Sequence, residues 1–162
     1  MLFRSGASSL PRPDESRTNS CAGFPFPDQR LPLLILRARV AASIGLPLAA
    51  LEESAILHYA PGQTFAPHFD FLDPSSPVHA TAIQTEGQRV LTVLIYLNDG
   101  YDGGETDFCD IGFAFKGRRG DALMFWNVHP DGHPDSLTRH AGRPPTRGEK
   151  WLFSQWIRCR VG

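Results

Sequence analysis

Hydrophobic positions change period twice along this chain. From Pro27 to Ile44 the apolar residues Leu33, Leu36, Val40 and Ile44 recur at helical spacing, with Arg37 and Arg39 between them. That spacing predicts an amphipathic helix that packs on another layer. Gly45 suits the C′ position ending such a helix, and Pro47 suits the start of a further short helical turn. Ahead of the helix, residues 1–30 are rich in Pro, Ser and Arg and show no clear period. A domain is therefore expected over 27–162. It would follow a 1–26 leader that is poorly ordered or the remnant of a longer N-terminus.

After Leu51 the period becomes two. Residues 55–60 and 65–71 read as strands separated by Pro61-Gly62, and residues 73–88 read as a polar loop. Residues 89–97 are β-branched and apolar on both faces, as an interior strand requires. Asn98-Asp99-Gly100 is a strong turn signal, and further strands are predicted near 105–108, 112–116, 121–128, 137–141 and 150–158. Eight short strands behind one helix predict a mainly β barrel or jelly-roll.

Composition narrows the function classes. A chain of 162 residues with 41% apolar and 20% charged residues is one folded domain. Sixteen Lys+Arg against seventeen Asp+Glu lack the basic excess of a nucleic-acid binder. The apolar run from Leu33 to Leu36 is stopped by Arg37, far short of the ~20 residues that span a membrane. Residues 1–10 lack the apolar core of a secretory signal. Cys21, Cys109 and Cys159 stand far apart, which argues against a disulfide scaffold or a cysteine zinc site. A soluble protein of the reducing cytoplasm is expected.

Six histidines remain as metal ligands. Three His-x-Asp pairs occur: His68–Asp70, His129–Asp131 and His133–Asp135. The last two share a Pro- and Gly-rich stretch and read as a solvated turn. His68 and Asp70 lie on a predicted strand, where alternation puts both on one face and Phe65, Phe69 and Phe71 on the other. An imidazole and a carboxylate two residues apart can share one metal ion, and His140 on a later strand can complete a two-histidine, one-carboxylate set. Lys150 opens the last strand, with Trp156 on the same face. An inward lysine needs an anion, and a dicarboxylic cosubstrate would supply one.

Together these residues resemble a known family. Tyr59-x-Pro-Gly-Gln, His68-Phe69-Asp70, Gly103-Gly104-Glu105-Thr106-x-Phe108, Gly120-Asp121-Ala122-Leu123, His140, Lys150-Trp151 and Trp156 resemble the prolyl 4-hydroxylase branch of the Fe(II)/2-oxoglutarate dioxygenases over roughly residues 50–160. The resemblance implies a double-stranded β-helix with iron held by His68, Asp70 and His140. It implies 2-oxoglutarate held by Lys150, Tyr59, Thr106 and Trp156. It places Arg89, Phe65 and Arg158 at the peptide substrate, and it implies O₂ and ascorbate as further requirements. The implied reaction hydroxylates a C–H bond, foremost of a peptidyl proline, with release of succinate and CO₂. Leu91, Val93, Phe125 and Trp126 are expected to form the apolar shell of the triad.

Two positions depart from the family pattern: Phe65 stands where Tyr is usual, and Arg158 where His is frequent. Relatives also usually carry another helix and strand before the segment Ser16 to Ser20. The alternatives are a catalytically silent module binding metal or 2-oxoglutarate, and an oxygenase of a small molecule.

Overall fold

The computed structural model describes residues 17–26 and 29–159. Its elements run in the order β1 (Ser20–Phe24), α1 (Leu31–Ile44), β2 (Ser54–Tyr59), β3 (Phe65–His68), α2 (Pro77–Glu86), β4 (Gln88–Tyr96), β5 (Asp102–Gly103), β6 (Thr106–Phe108), β7 (Phe113–Phe115), β8 (Ala122–Trp126), β9 (His140–Gly142), β10 (Pro145–Arg147) and β11 (Lys150–Cys159). All pairings are antiparallel. A five-stranded sheet has the order β1-β2-β11-β4-β8, a four-stranded sheet the order β3-β9-β6-β7, and β10 pairs with β5. This is a mainly β jelly-roll, as the strand pattern predicts. No helix among the described residues is long and apolar enough to cross a membrane.

The large sheet has two faces because its strands alternate. Leu91 and Val93 of β4 and Phe153 and Ile157 of β11 point to α1, where they pack with Val40 and Ala41. Ala55, Leu57, Tyr59, Tyr96 and Leu152 point the other way, toward Phe65 and Phe115 of the small sheet. Leu33, Leu36 and Ile44 lie along the same α1 face, and Gly45 ends the helix at φ 69°.

Arg37 departs from the simple amphipathic reading. It sits inside that face, about 1% exposed. Its guanidinium donates to the Leu51 and Glu52 carbonyls, the Ser54 hydroxyl and the Gln155 side chain. A buried cation thus ties α1 to β2 and β11 through neutral oxygens, and burial lowers its pKa.

Several local expectations are corrected. Residues 77–86 form a helix rather than a loop. Pro77 starts it, and no residue of it is buried, so it carries no apolar stripe by which to recognise it. Residues 136–138 make a 3₁₀ turn, and the following strand begins only at His140. Pro47 opens the turn at Leu48–Ala50 as expected, its carbonyl accepting from the Ala50 N–H. β1 lies within the 1–26 segment and pairs with β2 from Ser20↔His58 to Phe24↔Ser54, while residues 1–16 lie outside the described residues.

Replacing Arg37 by Leu removes every donor from this buried set. The expected loss in stability is about 2–4 kcal/mol, because the Leu51 carbonyl stays buried without a partner. Urea denaturation measures it. A loss below about 1 kcal/mol would show that the guanidinium contributes no more than packing.

Candidate metal centre

β3 and β9 place the two histidines. Their register sets His68 opposite His140, so the ring centroids are 4.3 Å apart. Phe65 lies opposite Gly142, so three steps along β3 match two along β9. The extra residue is a β-bulge, and Pro67 within it needs no ladder donor. The bulge overturns the expected alternation. Phe65 comes to the same side as His68 and stacks on it at 3.6 Å. β3 stops at His68, so Asp70 reaches the centre from the following loop rather than from a continued strand.

His68, Asp70 and His140 offer ligand atoms that all lie within 4.8 Å of one another. His68 Nε2 is 3.6 Å from Asp70 Oδ1, and His140 Nε2 is 3.7 Å from Asp70 Oδ2. Each imidazole uses Nδ1 on a backbone carbonyl at 2.9 Å, Ala66 for His68 and Thr138 for His140. That arrangement fixes the tautomer and leaves both Nε2 lone pairs facing the carboxylate. Burial, and then the neighbouring His140, push His68 down to about 4. Burial alone would raise Asp70, but His140, His68 and the Thr92 hydroxyl hold it below its usual range. Two imidazole nitrogens and one carboxylate, with no thiol, form the donor set that suits a divalent iron with open positions.

The other two His-x-Asp pairs do structural work, as expected. Asp131 accepts from the His133 backbone, and Asp135 caps the turn at Leu137.

Lys150 is fully buried opposite Tyr59 in the β2–β11 register. Its Nζ is 3.5 Å from Thr106 Oγ1, 5.0 Å from the Tyr59 ring and 5.6 Å from the Tyr96 ring. Burial pulls its pKa down to about 7, against a small upward pull from Glu105. An ammonium enclosed by hydroxyls and ring faces fits a ligand carboxylate. The buried Trp156 indole N–H makes no hydrogen bond of ordinary geometry, but it faces the Asp70 carboxylate and helps to hold it ionised.

One cavity is lined by His68, Asp70 and His140 together with Tyr59, Phe65, Thr106 and Trp156. Seven residues picked from the sequence therefore meet in one place, and Lys150 adjoins them through Thr106. Arg89 and Arg158 do not line it. Both bind Glu52, at 2.7 Å and 2.5 Å, and Arg89 lies over the Trp156 ring at 4.0 Å. The expected apolar shell is corrected in the same way. Leu91 and Val93 face α1 and Trp126 is exposed, so only Phe125 stays, edge-on to His140 at 5.0 Å.

Residues absent from the sequence reading complete the wall. Leu94 and Ser154 line the cavity, Tyr96 bonds Thr106 at 2.9 Å, and Thr92 bonds Asp70 at 2.8 Å. The available signal was a polar residue inside an apolar strand, since such a residue needs a partner. Arg17 enters from the chain before β1, 4.7 Å over Phe65. Gly142 also lines the cavity, where a Cβ would come within 2.7 Å of the Tyr59 hydroxyl.

Among known proteins, residues 54–158 match the 2OG-Fe(II) oxygenase superfamily. The chain is 35% identical over 143 residues to "Probable prolyl 4-hydroxylase 7" of Arabidopsis thaliana, covering 77% of this chain and 44% of the plant protein. It is 38% identical over 128 residues to prolyl 4-hydroxylase subunit alpha-3 of Homo sapiens, covering 77% of this chain and 23% of that one. The solved structure of the viral collagen prolyl hydroxylase of Paramecium Bursaria Chlorella virus-1, in its 2OG complex, is similar with a TM-score of 0.68 at 26% identity. That match covers 89% of this chain and 80% of the viral one. The chain spans about half the length of the plant relatives it matches.

A carboxylate that paired with Lys150 would bind with proton linkage, because burial lowers the lysine's pKa. Above about pH 7 the empty pocket holds largely neutral lysine, and an incoming carboxylate draws a proton back onto it. Binding of 2-oxoglutarate should therefore weaken as pH rises above 7, and at about pH 8.5 it should take up close to one proton. Calorimetry in buffers of different ionisation enthalpy reads that uptake. Lys150→Met should abolish it, and equal uptake in the variant would refute the linkage.

Proposed function

The chain belongs to the 2OG-Fe(II) oxygenase superfamily, and we propose that it is a 2-oxoglutarate-dependent dioxygenase that hydroxylates a peptidyl proline. The observation that carries the reading is a two-histidine, one-carboxylate cluster, with Asp70 and His140 buried and His68 half-buried, in a cavity that adjoins a fully buried lysine. The superfamily uses Fe(II), 2-oxoglutarate and O₂.

His68 and His140, through Nε2, and the Asp70 carboxylate would hold the metal. When bound, Fe(II) supplies O₂ activation coupled to oxidative decarboxylation of 2-oxoglutarate, giving succinate, CO₂ and a hydroxylated C–H bond. The remaining work belongs to the chain. Lys150 would pair with the far carboxylate of the cosubstrate, with Thr106, Tyr96 and Tyr59 around it. Burial raises the Tyr59 and Tyr96 phenols, Tyr96 to about 12, so both stay protonated, and the Tyr96 O–H donates to the Phe115 carbonyl. Leu57, Leu94 and Leu152 exclude water from that end.

Proline as the target rests on the relatives named prolyl 4-hydroxylases at 33–38% identity, together with the aromatic walls formed by Phe65 and Trp156. These walls suit a saturated ring and leave its substituents to be held outside. Phe65 would meet the substrate directly. Arg89 and Arg158 would reach it only beyond Trp156, from their shared carboxylate at Glu52.

The test is succinate formation from 2-oxoglutarate with Fe(II), ascorbate and a proline-rich peptide, with a peptide mass gain of one oxygen atom. His68→Ala should abolish both signals. Lys150→Ala should raise the 2-oxoglutarate KM on the order of 10-fold or more, since a charge-assisted contact of about 2 kcal/mol is lost. An unchanged KM refutes the assigned role of Lys150. Iron-loaded protein that makes no succinate, with or without peptide, refutes the enzyme reading.

A further inference from the structure

Asp70 is held by more than the two histidines. Its Oδ2 accepts a hydrogen bond from Thr92 Oγ1 at 2.8 Å, and that same hydroxyl oxygen accepts from Asn127 Nδ2 at 2.9 Å. Thr92 and Asn127 are both 0% exposed. The direction of each bond follows from chemistry. An ionised carboxylate only accepts, so the Thr92 hydrogen must point to Asp70, and its lone pair is left for an amide N–H. Asn127 is thereby obliged to present its nitrogen, and its Oδ1 is buried without a partner.

That orphan oxygen is informative. A buried acceptor left unpaired is destabilising, whereas two apolar residues of similar shape would pack here without penalty. The fold does not need the side-chain link either. Asn127 is already tied by its backbone to Val90 and Asp135, and Thr92 already lies between Trp156 and Phe125 in the sheet ladder. The unmet requirement is at Asp70, which reaches the centre from a loop rather than from a strand.

We propose that Thr92 and Asn127 are positioning residues of the metal centre, a serial relay from Asn127 through Thr92 that occupies one Asp70 oxygen and turns the other to the metal. The inference rests on the reading that His68, Asp70 and His140 hold the metal.

The experiment measures Mn(II) affinity of the full chain by calorimetry, with the Mn(II) paramagnetic resonance line shape and the metal-free thermal midpoint as companions. Thr92→Val should weaken Mn(II) binding on the order of 10- to 100-fold, as loss of an outer-shell partner does. Thr92→Ser should keep affinity within about 3-fold. Asn127→Leu should weaken binding several-fold. The double variant Thr92→Val/Asn127→Leu should be no weaker than Thr92→Val alone, because links in series do not add. The line shape should change in Thr92→Val and return in Thr92→Ser, which a merely structural role would not produce. Wild-type affinity in Thr92→Val, or additive losses in the double variant, overturns the relay. Should Thr92→Val not fold, wild-type affinity in Asn127→Leu overturns it instead. Wild-type protein that binds no Mn(II) sinks the metal-centre reading itself, a result distinct from failure of the relay.

Discussion

Charge enclosed between two sheets must be neutralised nearby, and that constraint organises this protein. Asp70 is 6% exposed and Lys150 is fully buried. Neither position is tolerable for an unaccompanied ion. Asp70 has the Thr92 hydroxyl and two imidazoles whose Nδ1 atoms meet backbone carbonyls, a surrounding that calls for a cation. Lys150 has a hydroxyl at 3.5 Å and two ring faces, a surrounding that calls for an anion. The two demands have opposite sign and lie at one cavity and its edge. A cation at one and a carboxylate at the other would balance both, so the side chains themselves describe the ligands that suit them.

Such a site needs rigid walls, and the alternation of β4 and β11 supplies them. One set of residues in each strand is committed to α1, the other set to the cavity. Arg37 belongs to the first set of contacts, since it bonds Gln155 of β11 and the chain leading into β2. Locking the outer face holds the inner one still, because neighbouring residues on a strand cannot move independently. The bulge in β3 solves a separate problem. It brings Phe65 round to shield His68, so one side of the centre is closed by a ring in flat contact with the imidazole.

The aromatic walls are themselves backed by cations. Arg17, itself in the cavity wall, lies over Phe65 and Arg89 lies over Trp156, so each ring carries a guanidinium on one face. Glu52 holds Arg89 and Arg158 together, and Arg158 also reaches the Gly87 carbonyl at the end of α2. Of the two departures from the family pattern, Phe65 lines the cavity and Arg158 lies outside it, bound to Glu52.

The sequence by itself determined what local rules can carry. α1, most strands and the ends set by Gly45 followed from period and turn chemistry, His68, Asp70, His140 and Lys150 followed from residue types that need one another, and Thr106 followed only from the family resemblance. α2 escaped because it buries nothing, and β1 because a strand on an edge needs only a partner's backbone. Tertiary structure alone decided which strand positions face the cavity. A single extra residue at the β3 bulge moved Phe65 across the sheet, and the parity of β4 gave Thr92 and Tyr96 to the site while sending Leu91 and Val93 to α1. It also decided that Arg89 and Arg158 are bound to Glu52. Period shows that faces alternate, but which face meets which layer depends on contacts between residues distant in the chain.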